Sequence, residues 1–271
     1  MPKPSKRRTK RDAGILSAIE ALPQRAGLPA KDSIIDVISP APAPPTAVVS
    51  KTRYRIIRTT EMDEYEKGAR DPLAAAAAAK PKGDNFKGTA RKAAKLSIAG
   101  EQTEEFSDLQ DLVASLPPES QMTDHTPTIK TGPKSNRVQE EKRNVKVRAF
   151  IYAASREDDN DFHLILGRDP QATGELYMTM ELSGLPSSSS SSFSKLKAVR
   201  DTFKTFFNDN LGGLPGVTYD FPDPPVPVEV EGSLFFDISH ANGTRPGPKS
   251  LKSRMPVIWE VHPITKMVFE P

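Results

Sequence analysis

Between residues 143 and 271, apolar side chains recur in five runs of period two and in one run of helical period. Val145-Lys146-Val147-Arg148-Ala149-Phe150-Ile151-Tyr152 alternates as a half-buried strand does, with successive side chains on opposite faces. Residues 161–167 and 176–182 repeat the pattern after the polar turn Arg156-Glu157-Asp158-Asp159-Asn160. Six serines at 187–192 form a loop able to supply a helix N-cap. Phe193, Leu196, Val199, Phe203, Phe206 and Phe207 then follow helical spacing up to Gly212-Gly213. Residues 228–236 read as a fourth strand. Residues 257–262 read as a fifth, closed by His262-Pro263, with a short continuation at 267–269.

The order strand, strand, strand, helix, strand, strand is that of a small five-stranded OB-like barrel with one helix between its third and fourth strands. A split sheet packed on the helix is the alternative. Gly232, in the middle of the fourth strand, suits the bulge or tight bend that closing such a barrel requires. The expected fold class is therefore mainly β, with a barrel domain over residues 143–271. Residues 1–100 are expected to be mostly disordered, a basic tail followed by Pro/Ala-rich linker. Lys3, Lys6, Arg7, Arg8, Lys10 and Arg11 precede the first acid, and Pro40-Ala41-Pro42-Ala43-Pro44-Pro45 reads as a polyproline spacer. Within this region residues 14–21 have amphipathic helical spacing, residues 53–58 have strand character, and the alanines at 74–79 favour a helix without a buried face. Residues 101–142 hold a short helix at 106–116 and a linker, and the apolar stripe of that helix calls for a surface to dock on.

Composition sharpens this division. Proline accounts for 26 of 271 residues and hydrophobic residues for 36%, a balance that fits one folded domain on a long tether. Residues 1–140 carry 23 Lys/Arg against 18 Asp/Glu, and the remainder carries 15 against 17. The absence of cysteine excludes disulfides, thiolate metal sites and a thiol nucleophile, so any chemistry falls to histidine and acids. No apolar run reaches the ~18 residues of a membrane span and no apolar stretch follows Met1-Pro2-Lys3, so the expectation is a soluble, cytoplasmic protein that makes no use of a membrane.

Strand parity separates the polar residues from the core. Asp161 and His163 lie opposite Phe162, Leu164 and Leu166. Glu181 lies opposite Met178, Met180 and Leu182, and Glu260 with His262 opposite Trp259 and Val261. Asp237 leaves the fourth strand, with His240 three residues on, while His125 sits in the linker. Imidazoles with carboxylates suit a divalent metal such as manganese, zinc or magnesium. They also suit a carboxylate-oriented histidine base, or simple hydrogen bonding that pins strand ends. The segment 241–254 brings four cations and no acid, including Arg245 and Arg254. In OB folds this loop commonly closes over oligonucleotide, with aromatics such as Tyr152, Tyr177 and Phe235 as stacking platforms. A broad basic groove is not evident, since the domain is slightly acidic.

Asp161-Phe162-His163-Leu164-Ile165-Leu166, then Gly232 with Asp237-Ile238-Ser239-His240, then Trp259-Glu260-Val261-His262-Pro263 form a three-part signature. It resembles a group of uncharacterised small bacterial β-barrel proteins that pair D-[YF]-H-[LI]-x-L with a later G-x4-D-x2-H and a final W-E-[IV]-H-P. The resemblance covers roughly residues 143–271 and implies a small barrel with a shared polar site, without supplying an activity. In layout it is also similar to the thermonuclease barrel, an analogy of fold only, from which this chain departs by using histidines.

The leading expectation is a nucleic-acid-binding domain, with single strands the expected partner, that uses metal-assisted phosphodiester hydrolysis. Asp161, His163, Asp237 and His240 would be metal ligands and Glu260 or His262 the base. Arg245 or Arg254 would clamp phosphate, and Glu181 would share the polar face. The competing expectation is a non-catalytic adaptor with structural histidines, whose N-terminal region engages a protein partner. A small-molecule hydrolase on the same site is a third.

Overall fold

The structure is a computed structural model that describes residues 10–39, 52–63, 83–243 and 245–270. The basic residues 1–9, the polyproline segment and the alanine run lie outside the described residues.

The described residues form nine strands: β1 (Ile34–Ile38), β2 (Arg55–Thr59), β3 (Thr103–Phe106), β4 (Asn144–Arg156), β5 (Phe162–Gly167), β6 (Tyr177–Leu182), β7 (Asp220–Asp223), β8 (Val226–Phe236) and β9 (Trp259–Phe269). Five of them close a ring in the order β4-β5-β6-β9-β8 and back to β4. All neighbours in this ring are antiparallel except β6 and β9, which run parallel, and the long helix Phe193–Asn210 connects β6 to β8. This is the expected five-stranded OB-like barrel, and the split-sheet alternative falls. Closure depends on the length of β4. Its first part pairs with β8 from Asn144 to Ile151, and its second part pairs with β5 from Phe150 to Arg156.

Period two decides the interior. Phe162, Leu164, Leu166, Met178, Met180, Leu182, Val228, Val230, Leu234, Trp259 and Val261 meet in one core, and Val199, Phe203, Phe206 and Phe207 of the helix enter the same core. Gly232 sits where the β8–β9 register slips, and a Cβ there would lie 2.5 Å from the Pro263 carbonyl oxygen. The slip also explains a departure from the expected fifth strand. β9 runs unbroken through Pro263, because the bulge opposite it removes the need for a ladder N–H at that residue. The serine run differs too. Ser192 precedes the helix, but its hydroxyl donates to the Leu96 carbonyl and caps nothing.

Strand β7 was not anticipated, since Asp220-Phe221-Pro222-Asp223 is short and interrupted by proline. It pairs with β2, and β2 with the likewise unanticipated β1, so the segment expected as an isolated element at 53–58 becomes part of a sheet that extends beyond β4. The helix expected over 106–116 forms over Leu109–Ala114, and Phe106 instead ends a strand, β3, that pairs parallel with β4. That helix docks through Leu109 and Leu112, both fully buried, as its stripe required. No helix among the described residues is long and apolar enough to cross a membrane.

These additions cover the outer face of β5 and β6, which are buried at every position. One part of that face is apolar, where Ile165 and Tyr177 pack with Ile57, Tyr219, Phe221, Leu251 and Met255. The other part is polar and is covered by residues 84–97. Phe86 N donates to the Leu185 carbonyl and Leu185 N to the Asp84 carbonyl, and Gly184 admits this approach because a Cβ there would lie 2.7 Å from Phe86 Cα.

Candidate metal centre

Cross-strand register brings the predicted polar residues together. His163 of β5 stands opposite Glu181 of β6, and Thr179 of β6 opposite Glu260 of β9, two residues from His262. Asp161, His163, Glu181, Glu260 and His262 are all 3% exposed or less. Burying so many ionisable groups is unfavourable unless they are paired, protonated or bound to metal.

Two groups of ligand-type side chains result, and either could hold a metal ion. In the first, donor atoms of Asp63, Glu157 and His163 lie within 4.8 Å of one another. In the second, those of Asp161, Glu181 and His262 do. His163 Nδ1 lies 2.7 Å from Glu157 Oε1 and 3.4 Å from Asp63 Oδ2. His262 Nε2 lies 3.4 Å from Asp161 Oδ2, and its Nδ1 lies 3.0 Å from Glu181 Oε2. Several of these atoms are buried without a hydrogen bond: His163 Nε2, Asp161 Oδ2, Glu181 Oε2, Glu260 Oε2 and both ring nitrogens of His262. Donor atoms about 2.0–2.2 Å from a common ion stand at such separations from one another, so the residues fit a small divalent cation. Hard and borderline donors of this kind suit manganese, zinc or magnesium.

The first group opens onto a cleft of about 230 Å³. Among the described residues its walls carry the carboxylates Asp63, Glu157, Asp158, Asp159, Glu181 and Asp237 against Arg91 and Lys95 as fixed cations. Arg91 is committed elsewhere. Its guanidinium forks onto Glu141 at 2.6 and 2.7 Å and lies 4.7 Å above the Phe235 ring, clipping the covering segment to the barrel. Lys95 Nζ, on the same segment, is 3.9 Å from both Asp159 and Asp161.

Electrostatics sort these groups. Burial and the neighbouring Glu181 push the Glu157 carboxyl up to about 8. Burial and Asp159 hold Asp161 well above the carboxylate range, and burial with Glu181 does the same for Glu260. Glu181 is held well below that range. Burial works against its ionisation, but the His262 ring, Lys95 and His163 outweigh burial. Burial opposes charge on His163 as well, yet Asp63 and Glu157 raise it to about 10. His262, enclosed by burial, is pushed down and stays neutral. Protons and two side-chain cations thus balance the cluster, and an incoming divalent ion would replace them.

The other expected site residues are distributed differently. Asp237 and His240 pair with each other at 3.4 Å and line the cleft, but they do not join the ligand group of Asp161 or of His163. Asp161, Glu260 and His262 lie outside the cleft lining. Arg245 pairs with Glu119, and Arg254 with Glu175 while lying over the Tyr177 ring at 5.6 Å, so neither reaches the cleft. Tyr152, Tyr177 and Phe235 are 5% exposed or less and present no open face for base stacking.

Asp63, Glu157 and Lys95 escaped the sequence reading. Glu157 carried a weak signal, six residues before His163 in a turn dense in acids. Asp63 and Lys95 carried none, because they come from covering segments far away in sequence. No known protein family, curated protein or solved structure matches the chain.

Proposed function

We propose that this chain is a divalent-metal-binding OB-type domain that hydrolyses phosphodiester bonds of nucleic acid, with the ion held by Asp63, Glu157 and His163. The observation that carries this is the convergence of those three donors on a cleft whose carboxylates far outnumber its cations. Such a cleft repels a phosphate chain by itself and accepts it once cations are bound. A divalent ion supplies Lewis-acid stabilisation to a phosphoryl oxygen and a water of lowered pKa. The protein contributes the rest. Lys95 offers a protonated ammonium to a non-reacting phosphate oxygen, its charge favoured, against the pull of burial, by Glu181 and Asp161. His240 is oriented by Asp237 on the cleft wall and is the side chain suited to proton transfer, a role the sequence had assigned to Glu260 or His262.

Mn(II) titration by calorimetry, followed by incubation with single- and double-stranded DNA and RNA, tests the proposal. Mn(II)-dependent cleavage that disappears in His163→Ala and Asp63→Asn supports it. A wild-type protein that binds no Mn(II) overturns it.

The covered outer face and the engaged arginines favour a second reading, in which the cluster is a clamp between barrel and N-terminal segment in an adaptor for a protein partner. Mn(II) binding that raises the melting temperature while every nucleic acid stays intact supports that reading.

A further inference from the structure

Resting on that proposal, we infer that the cluster takes two divalent ions, with Glu181 as the carboxylate between them. The two oxygens of Glu181 address different histidines. Oε1 lies 3.6 Å from His163 Nδ1, and Oε2 lies 3.0 Å from His262 Nδ1. Each histidine belongs to a separate ligand group, and Glu181 is the side chain that reaches both.

The inner group has the marks of a binding site apart from its acids. His262 and Asp161 are fully buried, and neither ring nitrogen of His262 nor Oδ2 of Asp161 makes a hydrogen bond. Glu181 Oε2 and Glu260 Oε2 are buried without one as well. Leaving such groups unsatisfied in the interior is unfavourable. Several such atoms face one another across the inner group: His262 Nδ1 lies 3.0 Å from Glu181 Oε2 and Nε2 lies 3.4 Å from Asp161 Oδ2, yet neither contact has hydrogen-bond geometry. An ion accepts lone pairs from all of them together.

The architecture also fits the chemistry of the outer site. Paired ions about 3.5–4 Å apart clamp both the attacking and the leaving oxygen of an in-line phosphoryl displacement. A carboxylate that gives one oxygen to each ion is the connection such a pair needs. Here the barrel supplies it from mid-strand, on the rigid β5–β6 ladder. The inner ion would be enclosed and structural in exchange rate, and the outer one open to substrate.

The test is Mn(II) stoichiometry by elemental analysis of the full chain after dialysis against Mn(II), read together with its electron paramagnetic resonance spectrum. Two ions per chain with an exchange-coupled spectrum are expected. His262→Gln is expected to keep one ion and show the isolated six-line pattern, and Glu181→Gln to lose the coupling. One ion per wild-type chain with an uncoupled spectrum overturns this inference and leaves the outer site standing. No bound ion overturns both. Because the wild-type measurement decides by itself, a variant that does not fold leaves the outcome unaffected.

Discussion

Arg91→Met removes the cation from a pair sealed between the covering segment and the barrel, where Arg91 is 2% exposed and Glu141 fully buried. The Arg91 guanidinium makes four hydrogen bonds: two to Glu141, one to the Phe236 carbonyl at 3.1 Å and one to the Asn136 carbonyl at 3.0 Å. Removing one partner of a buried pair costs about 3–5 kcal/mol, because the other is left charged and unpaired. The lower end applies here, since Glu141 keeps the backbone N–H groups of Phe236 at 2.9 Å and Val138 at 2.8 Å. We expect a loss of about 3 kcal/mol. Glu141→Leu does worse, about 5 kcal/mol, because it orphans the guanidinium and both N–H groups at ~1–3 kcal/mol each. The double variant falls short of the sum, as coupled neighbours do. Urea unfolding followed by far-UV circular dichroism measures this. With a slope of about 1–3 kcal/mol per molar urea, Arg91→Met lowers the midpoint by roughly 1 M or more. A midpoint within about 0.3 M of wild type would refute the clip as the anchor of the covering segment.

Other outcomes follow from the same contacts. Glu157 and His163 are raised to about 8 and about 10, so both favour the folded state below their unfolded values and lose that contribution as pH rises. The metal-free melting temperature should therefore fall from about pH 4.5 to about pH 10, through Glu157 up to about pH 8 and through His163 from about pH 6.5, while Mn(II), whose ligands must shed protons, should protect increasingly over that range. Scanning fluorimetry with and without Mn(II) reads both, and a flat metal-free profile contradicts the assignment. Gly232→Ala forces a methyl against the Pro263 carbonyl and Val261 Cγ1, each 2.5 Å away. We expect a loss of about 1–3 kcal/mol in urea unfolding, and no loss would mean that the bulge tolerates a side chain. Arg245→Ala and Arg254→Ala break only partly exposed pairs with Glu119 and Glu175. Mn(II) affinity in each variant should stay within about twofold of wild type, given the ~0–1 kcal/mol of such pairs, and a larger drop in calorimetry would restore them to the site.

The order of elements was legible in residues 143–271 because each depends on a local period. Alternation in Val145–Tyr152, Phe162–Leu166 and Tyr177–Leu182 marks strands, and the phenylalanines of 193–207 mark a helix. Parity then put His163, Glu181, Glu260 and His262 on one face, and the missing cysteines restricted any site to such residues. Even Gly232 announced the bulge. What parity cannot state is what lies against that face. The sequence reading left it open to a ligand, whereas β2, β7 and residues 84–97 cover it, turning tyrosines expected to stack on bases into core.

Membership of the site was decided by tertiary structure for the same reason. Asp63 lies one hundred residues before His163 and Lys95 sixty-eight before it, and no local periodicity connects such positions. Arg245 and Arg254 looked like a phosphate clamp because a loop with four cations has no acid of its own. Their partners, Glu119 and Glu175, come from elsewhere in the chain. The sequence by itself determined the barrel, its polar face and the restriction of chemistry to histidine and carboxylate. Only the packing of distant segments decided which of those groups share a metal's reach, because burial and charge compensation depend on neighbours brought together by the fold.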